Sequence, residues 1–292
     1  MVKQSAVFAW YELLTSDVSA AQAFYGRVLG WDVQDASTAE FAYRLFRVGG
    51  SPVAGLMELP LDGRKKGATP RWVGYVAVED VDAVVDQLKR LGGAVYVPPT
   101  DSNIGRLAVV ADPQTATLAF VKGLKYGDGE HGGLGRVCWH ELFAADAKAA
   151  FEFYASLLGW RKADPMTTPI ESYQLFAAGE RTMGGMFNKI ASAPVPFWLY
   201  YFEVADLDLA MRRVGAEGGL ITRGPIQLWG DTWIAHCVDS QAAVFALQGK
   251  RTKASQADEQ QSVSQTGWSA KWGDISSRGR LLGTKPKGGS GR

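Results

Sequence analysis

Two tryptophan–glutamate pairs carry the strongest chemical signal in the chain. Trp10 and Glu12 stand two residues apart, and so do Trp139 and Glu141. In an extended strand residues i and i+2 point to the same side. Each pair would therefore set an indole beside a carboxylate on one surface. The indole offers a flat apolar wall and a single N–H donor. The carboxylate can accept a hydrogen bond from a ligand hydroxyl or ammonium, or take a proton as a general base. Glu12 and Glu141 are thus the candidate catalytic residues. A structural hydrogen bond to a neighbouring strand or loop is the competing explanation for both.

Other reactive chemistry is sparse. The histidines are His131, His140 and His236, and the cysteines are Cys138 and Cys237. Two cysteines in strand-like runs read as buried thiols and fit a reducing, cytoplasmic setting. Gly49-Gly50 reads as a hairpin turn, because no strand-to-helix phosphate context follows it. No G-x-S-x-G nucleophile motif occurs, and Arg64-Lys65-Lys66 reads as a solvated basic turn. A formal net charge of +1 over 292 residues argues against nucleic acid or an anionic membrane as a partner. No apolar run reaches the roughly 20 residues that span a bilayer. The opening MVKQSAVFAWYELL lacks the apolar core of a signal peptide.

The elements that position these residues are repeated. WYELLTSDVSAAQAFYGRVLGW begins at Trp10 and WHELFAADAKAAFEFYASLLGW at Trp139, an offset of 139 − 10 = 129. Later landmarks stay near it: Gly55 with Gly184, Asp80 with Asp206, Gly92 with Gly218, Asp112 with Asp239. Two copies of one domain are present. Each copy also repeats within itself. Asp17, Asp80, Asp146 and Asp206 each precede an apolar run at helical spacing, so each reads as an N-cap. Gly30, Gly92, Gly159 and Gly218 stand where the helices should stop. Strand-like runs precede the helices at Val7–Leu14, Val73–Val78, Val137–Phe143 and Leu199–Val204, and shorter ones follow them. The unit is a strand, a helix and about three strands, used four times.

The expected fold is α+β, with two tandem domains. In each, two paired βαβββ modules curve their strands around a concave pocket. Residues 1–122 form the first domain, 123–135 a Gly-rich flexible linker, 136–249 the second domain, and 250–292 a polar tail expected to be disordered apart from Trp268 and Trp272.

This pattern resembles the vicinal oxygen chelate superfamily, which includes glyoxalases, extradiol dioxygenases and bleomycin-resistance proteins. The resemblance rests on ELLTSDVSAAQAFYGRVLGW, YVAVEDVDAVVDQL and ADPQTATLAFV and on their counterparts in the second copy. It covers about residues 6–122 and 136–249. It implies a site for a divalent metal in relatives that use one, built from His and Glu on the strands. In this chain the corresponding positions hold Trp10, Val73 and Ala119, and Trp139, Leu199 and Ala246. A fourth position aligns with Glu58 in the first copy and Phe187 in the second. Indole and hydrocarbon offer no metal donor, so no metal and no other cofactor is expected. His140 lies one residue past a ligand position, so alternation turns it away from the concavity. A register slip of one would bring it inside.

The expected lining is Trp10, Glu12 and Tyr75 in one pocket and Trp139, Glu141 and Tyr201 in the other. A one-residue slip would substitute Trp72, or Trp198 and Tyr200. The tryptophans either complete a core where a metal would have been or stack a ligand. Three functions compete. The first is metal-free binding of a small aromatic or apolar molecule. The second is a lyase, isomerase or dioxygenase using relocated ligands or Glu12 and Glu141 as acid–base groups. The third is an interaction scaffold docking through its tail. The duplication makes either a monomer or a homodimer workable.

Overall fold

Four aspartates start four helices by the same device. The carboxylates of Asp17, Asp80, Asp146 and Asp206 accept from the backbone N–H three residues on, at 2.9–3.0 Å. They open α1 (Val18–Leu29), α3 (Val81–Arg90), α4 (Ala147–Leu158) and α5 (Leu207–Ala216). The N-terminal N–H groups of a helix lack intrahelical partners, and these oxygens supply one. Gly30 and Gly159 close α1 and α4 in the left-handed conformation, at φ 73° and 72°. The other two helices end one residue earlier than expected, at Leu91 and Glu217, with Gly92 and Gly218 next. A fifth short helix, α2 (Leu61–Lys65), has no counterpart in the sequence reading.

The computed structural model describes residues 6–39, 41–65, 67–127, 132–163, 173–190, 193–228 and 230–252. The first half comprises β1 (Phe8–Thr15), β2 (Asp32–Asp35), β3 (Arg44–Val48), β4 (Ser51–Glu58), β5 (Arg71–Ala77), β6 (Ala94–Asp101), β7 (Arg106–Ala111) and β8 (Thr117–Lys122). They form one sheet in the order β2-β3-β4-β1-β5-β8-β7-β6. Strands β1 and β5 are antiparallel neighbours at its centre, and each pairs in parallel with the last strand of its own module, β4 or β8. The second half repeats this with β9 (Val137–Ala144), β10 (Arg161–Lys162), β11 (Gln174–Ala178), β12 (Arg181–Asn188), β13 (Phe197–Val204), β14 (Leu220–Gln227), β15 (Trp233–Val238) and β16 (Val244–Gly249). Its order is β10-β11-β12-β9-β13-β16-β15-β14. Among the described residues no helix is long and apolar enough to cross a membrane.

The two sheets stand back to back. Their convex faces and the four long helices share one core that runs through both halves, including Phe8, Tyr25, Trp31, Trp72, Tyr154, Trp160, Trp198 and Phe202. The concave faces point away from this core and bury separate clusters. Reciprocal bonds tie the halves together. Trp31 Nε1 donates to the Gly135 carbonyl at 2.8 Å, and Trp160 Nε1 to that of Ala6 at 2.6 Å. Tyr25 donates to Asp239 at 3.0 Å and Tyr154 to Asp112 at 3.1 Å.

Where equivalent positions meet at the centre, the residues differ. Tyr11 faces His140, its own counterpart 129 residues on, at 2.7 Å. The other imidazole nitrogen lies 2.7 Å from the Met183 carbonyl, which can only accept. A neutral imidazole that donates there takes the Tyr11 proton at Nε2. Likewise Tyr200 Oη accepts from the backbone N–H of Gly74 at 2.8 Å, and these positions differ by 126. A Cβ on Gly74 would stand 2.6 Å from that oxygen. One half supplies the bulk and the other the space.

Three expectations change. Strand pairing sets Gly55 beside Glu12 and Gly185 beside Glu141, so the counterpart of Gly55 is Gly185 rather than Gly184. The described parts of 123–135 are pinned: the N–H of Gly135 donates to Glu203 and that of Lys125 to Ile104. The start of the tail is held as well, since Arg251 lies 2.8 Å from Asp208 and covers the Trp233 ring. His131, Trp268 and Trp272 lie outside the described residues.

Candidate functional site

The concave faces follow from strand alternation broken at one point. A bulge between Phe8 and Trp10 sends Phe8 to the convex core and Trp10 to the concavity, although the two are separated by an even step. A matching irregularity between Tyr201 and Phe202 separates Val137 from Trp139 in the second half. Beyond the bulges the expected alternation holds. Trp10, Val73, Tyr75 and Ala119 cluster on one concave face, and Phe143, Leu199, Tyr201 and Ala246, with Trp139 packed against them, on the other. Trp72, Trp198 and Tyr200 belong to the convex core, as does Phe8, which stacks on His140 at 4.2 Å.

Both glutamates are buried in these concavities and held by tyrosines. Glu12 accepts from Tyr43 and Tyr75, and Trp10 Nε1 donates to Tyr43 Oη at 3.1 Å. Glu141 accepts from Tyr173 at 2.7 Å and Tyr201 at 2.5 Å, and Trp139 Nε1 donates to Tyr173 at 2.9 Å. Neither Tyr43 nor Tyr173 is among the residues expected from the sequence to line the concavities. Each crosses a strand glycine to reach its glutamate: a Cβ on Gly55 would meet Tyr43 Oη at 2.0 Å, and one on Gly185 would meet Tyr173 Cζ at 2.1 Å. Glycine at those points is the price of the contact. Burial pushes both carboxyls above the ordinary carboxylate value. Hydrogen bonds from Tyr43, Tyr75 and Trp10 draw Glu12 part of the way back, and Tyr201, Tyr173 and the charge of Arg223 do so for Glu141.

The halves diverge around this shared motif. In the first, Trp10 is 1% exposed and Tyr43 equally buried. Leu124 and Tyr126 from the connecting segment pack against the cluster, and the Tyr126 ring lies 6.0 Å from that of Trp10. In the second, Trp139, Tyr173 and His236 are each partly exposed. The facing ladder carries polar groups there. His236 lies opposite Ala246 and Arg223 opposite His236, whereas the corresponding residues of the first half are Val109, opposite Ala119, and Val97. His236 Nε2 is 2.8 Å from Tyr201 Oη. Burial and then the charge of Arg223 push His236 down to about 3, so it is neutral at physiological pH. The one phenolic proton of Tyr201 then serves either of two acceptors. It goes to ionised Glu141, with His236 donating its Nε2 proton, or to His236 when Glu141 is protonated. Hairpin counting could have found His236, because the turn at Asp239–Ala243 pairs 236 with 246. Arg223 required a second ladder interrupted by bulges.

The donors on these walls do not fit a divalent metal of the kind the resemblance implies. Glu58 is not among the concave residues. With Gly55 opposite Glu12, Met57 faces the concavity and Glu58 turns out to solvent, ion-paired to Arg64. Phe187 does face inward. The implied positions thus hold Trp10, Met57, Val73 and Ala119, and Trp139, Phe187, Leu199 and Ala246. A thioether is a soft donor suited to Cu(I), and the rest have no lone pair to offer. Among the described residues no group of three or more His, Cys, Asp or Glu could hold an ion.

The family model described as "Glyoxalase/Bleomycin resistance protein/Dioxygenase superfamily" matches residues 7–120 and 133–241. The glyoxylase-like protein CFP32 of Mycobacterium tuberculosis is 29% identical over 242 residues, covering 82% of this chain and 92% of that protein. The anthracycline biosynthesis protein DnrV of Streptomyces peucetius is 35% identical over 113 residues, 39% of this chain and 40% of DnrV. The Mn(II)-bound glyoxalase from Novosphingobium aromaticivorans superposes with a TM-score of 0.60 at 15% identity, covering 86% of this chain and 84% of that one. At that identity the likeness concerns the fold.

Proposed function

Because this chain belongs to the Glyoxalase/Bleomycin resistance protein/Dioxygenase superfamily yet carries indole and hydrocarbon at the implied ligand positions, we propose that its second half binds a small, flat organic molecule without a metal ion. The observation that carries this reading is the difference between the two tryptophans. Trp10 is sealed beneath Tyr126, whereas Trp139 is partly exposed beside Glu141, Tyr201 and His236. Apolar walls with a few fixed polar groups are the usual make-up of a small-molecule site. Trp139, Phe143 and Phe187 supply the walls, and the carboxyl, phenol and imidazole fix orientation. The similarity to DnrV, an anthracycline biosynthesis protein, is in keeping with an aromatic ligand. Titration of chelator-treated protein with a panel of flat aromatic compounds, followed by tryptophan emission, tests it. One saturable site per chain is expected, weakened about tenfold or more in Trp139→Leu, which corresponds to about 1.4 kcal/mol. Binding that requires added Mn(II) or Zn(II), or a panel in which no compound alters emission, would sink the proposal.

A second reading draws on the Tyr201 bridge. Its phenolic proton can turn from one acceptor to the other as Glu141 takes up or releases a proton, which suits Glu141 to act as a general acid or base in an isomerase or lyase. Loss of turnover in both Glu141→Gln and Tyr201→Phe, with ligand affinity retained, would establish it. Retained turnover in either variant would remove it.

A further inference from the structure

We propose that His236 Nδ1 is the atom of the second concavity that meets an oxygen of the ligand, and that the proton on Glu141 decides whether this atom accepts or donates. The site then takes a flat aromatic molecule with an uncharged oxygen substituent, a hydroxyl when Glu141 is ionised and a carbonyl when it is protonated. This rests on the reading of the second concavity as a binding site.

Trp139, Tyr201, Ala246 and His236 stand in one row across β9, β13, β16 and β15, and directly opposed residues on paired strands share a face. The imidazole reaches Tyr201 Oη through Nε2 at 2.8 Å, and its ring lies 6.0 Å from that of Phe143. Nδ1 hydrogen-bonds to no described residue. Among the described residues, the buried side-chain atoms left without a partner are Asn103 Nδ2 and Trp233 Nε1. Nδ1 is not one of them, so it keeps accessible surface, on a wall whose tryptophan is partly exposed as well.

A count of hydrogens fixes what Nδ1 offers. Tyr201 has one, and it lies between Glu141 Oε2 and His236 Nε2. With Glu141 ionised, Tyr173 and Tyr201 both donate to it. Nε2 then carries the imidazole hydrogen, because two lone pairs would otherwise face each other at 2.8 Å. Nδ1 is left as an acceptor. With a proton on Oε2, the carboxyl donates to Tyr201 and Tyr201 donates to Nε2. The neutral imidazole then holds its hydrogen on Nδ1, which donates. A proton on Oε1 instead would displace the Tyr173 hydrogen, and Tyr173 already accepts from Trp139. Among the described residues, the ionisable groups that act on this pair are Tyr201, Tyr173 and Arg223. Burial raises Glu141 and these three draw it part of the way back, while burial and the charge of Arg223 keep His236 neutral. The duplication supplies an internal control. Tyr75 meets Glu12 as Tyr201 meets Glu141, but Val109 stands where His236 does, so the sealed half has no such outlet.

The test titrates 2-naphthol, 2-acetylnaphthalene and naphthalene calorimetrically into the full chain between about pH 5 and about pH 8, where all three are uncharged. As pH rises and Glu141 ionises, the naphthol should gain about tenfold over the ketone, the scale of one hydrogen bond made and one lost. Glu141→Gln, whose amide donates to Tyr201 as the protonated carboxyl does, should favour the ketone at every pH. His236→Val introduces the residue that the first half carries at this place. It should abolish the pH dependence of the ratio while naphthalene still binds. A ratio that stays constant with pH in the unmodified protein, that moves in the opposite direction, or that moves equally in His236→Val overturns the assignment to Nδ1 and leaves the binding site standing. If naphthalene and both derivatives fail to bind, the second concavity is not a site for a flat aromatic molecule, and both readings fall.

Discussion

The two concave faces begin from one plan and end as different objects. Each sets a tryptophan and a glutamate on its first strand and brings two tyrosines onto the carboxylate. In the first half Tyr126 and Leu124 lie over this motif, and valines occupy the outer ladder. In the second half the corresponding ladder residues are arginine and histidine, and Trp139 is partly exposed. The comparison teaches that the Trp–Glu–Tyr–Tyr motif is not by itself a site. Covered, it serves as core. Partly exposed and flanked by Arg223 and His236, it has the make-up of a pocket.

The largest expected contrast is in stability. Trp10→Ala should cost about 3–5 kcal/mol, the range for removing a fully buried large aromatic. Trp139→Ala should cost well under half as much, because its indole is partly exposed. Ligand affinity should respond in the opposite sense, falling about tenfold or more in Trp139→Ala. Urea unfolding and calorimetric titration on both variants check this. Equal losses of stability would erase the distinction between core and pocket.

The junction between the halves comes next. Gly74→Ala would place a methyl group against Tyr200 Oη and Phe8, both buried. Overpacking of that kind costs about 1–3 kcal/mol. Adding Tyr200→Phe to Gly74→Ala should recover part of the loss by relieving the clash, although the single Tyr200→Phe change leaves the Gly74 N–H without its acceptor. A double-mutant cycle read by urea midpoints measures the coupling. Strict additivity would show that these two counterpart positions do not depend on each other.

Much of this was legible in the sequence, and the omissions share a cause. The repeat, the four aspartate caps and the inward set Trp10, Glu12, Val73 and Tyr75 follow from short-range periodicity, which a linear chain displays directly. Tyr43, Tyr173, Arg223 and Tyr126 do not, because their positions depend on which strand lies beside which. A single glycine admits each tyrosine to its glutamate, and nothing near Gly55 or Gly185 in sequence announces that. Glu58 misled for the complementary reason: its residue type suited the role, while a register fixed by Glu12 and Gly55 gave the inward place to Met57. The segment around Tyr126 is Gly-rich, as flexible connections are, yet one aromatic in it suffices to cover a tryptophan.

The carboxyls separate the halves by pH. Burial raises both above the ordinary value of 4.5, so the folded state keeps a proton that the unfolded chain gives up. The resulting stabilisation is complete below the unfolded value and is lost as pH rises through the folded one. Glu12→Gln, which never ionises, should therefore gain relative to the unmodified protein as pH is raised from about 4.5 toward 8. The gain should be smaller for Glu141→Gln, since Arg223 already favours the ionised form of Glu141. Thermal midpoints across that range decide the matter, and a difference that stays constant with pH for Glu12→Gln would contradict the assignment.

The mildest change tests the cover itself. Tyr126 is partly buried and its ring packs beside Trp10 and Tyr43, so Tyr126→Ala should cost only about 1 kcal/mol. It should nevertheless uncover Trp10, shifting emission to longer wavelength and increasing quenching by a small neutral quencher. With Val97→Arg and Val109→His added, the first concavity would carry the polar ladder of the second. If the cover and the ladder are what separate the halves, this triple variant should take up a second equivalent of whatever flat ligand the second half binds, and Tyr126→Ala alone should not. A stoichiometry that stays at one in the triple variant would place the difference deeper, in the tight seating of Trp10 against Tyr43, Val73 and Ala119.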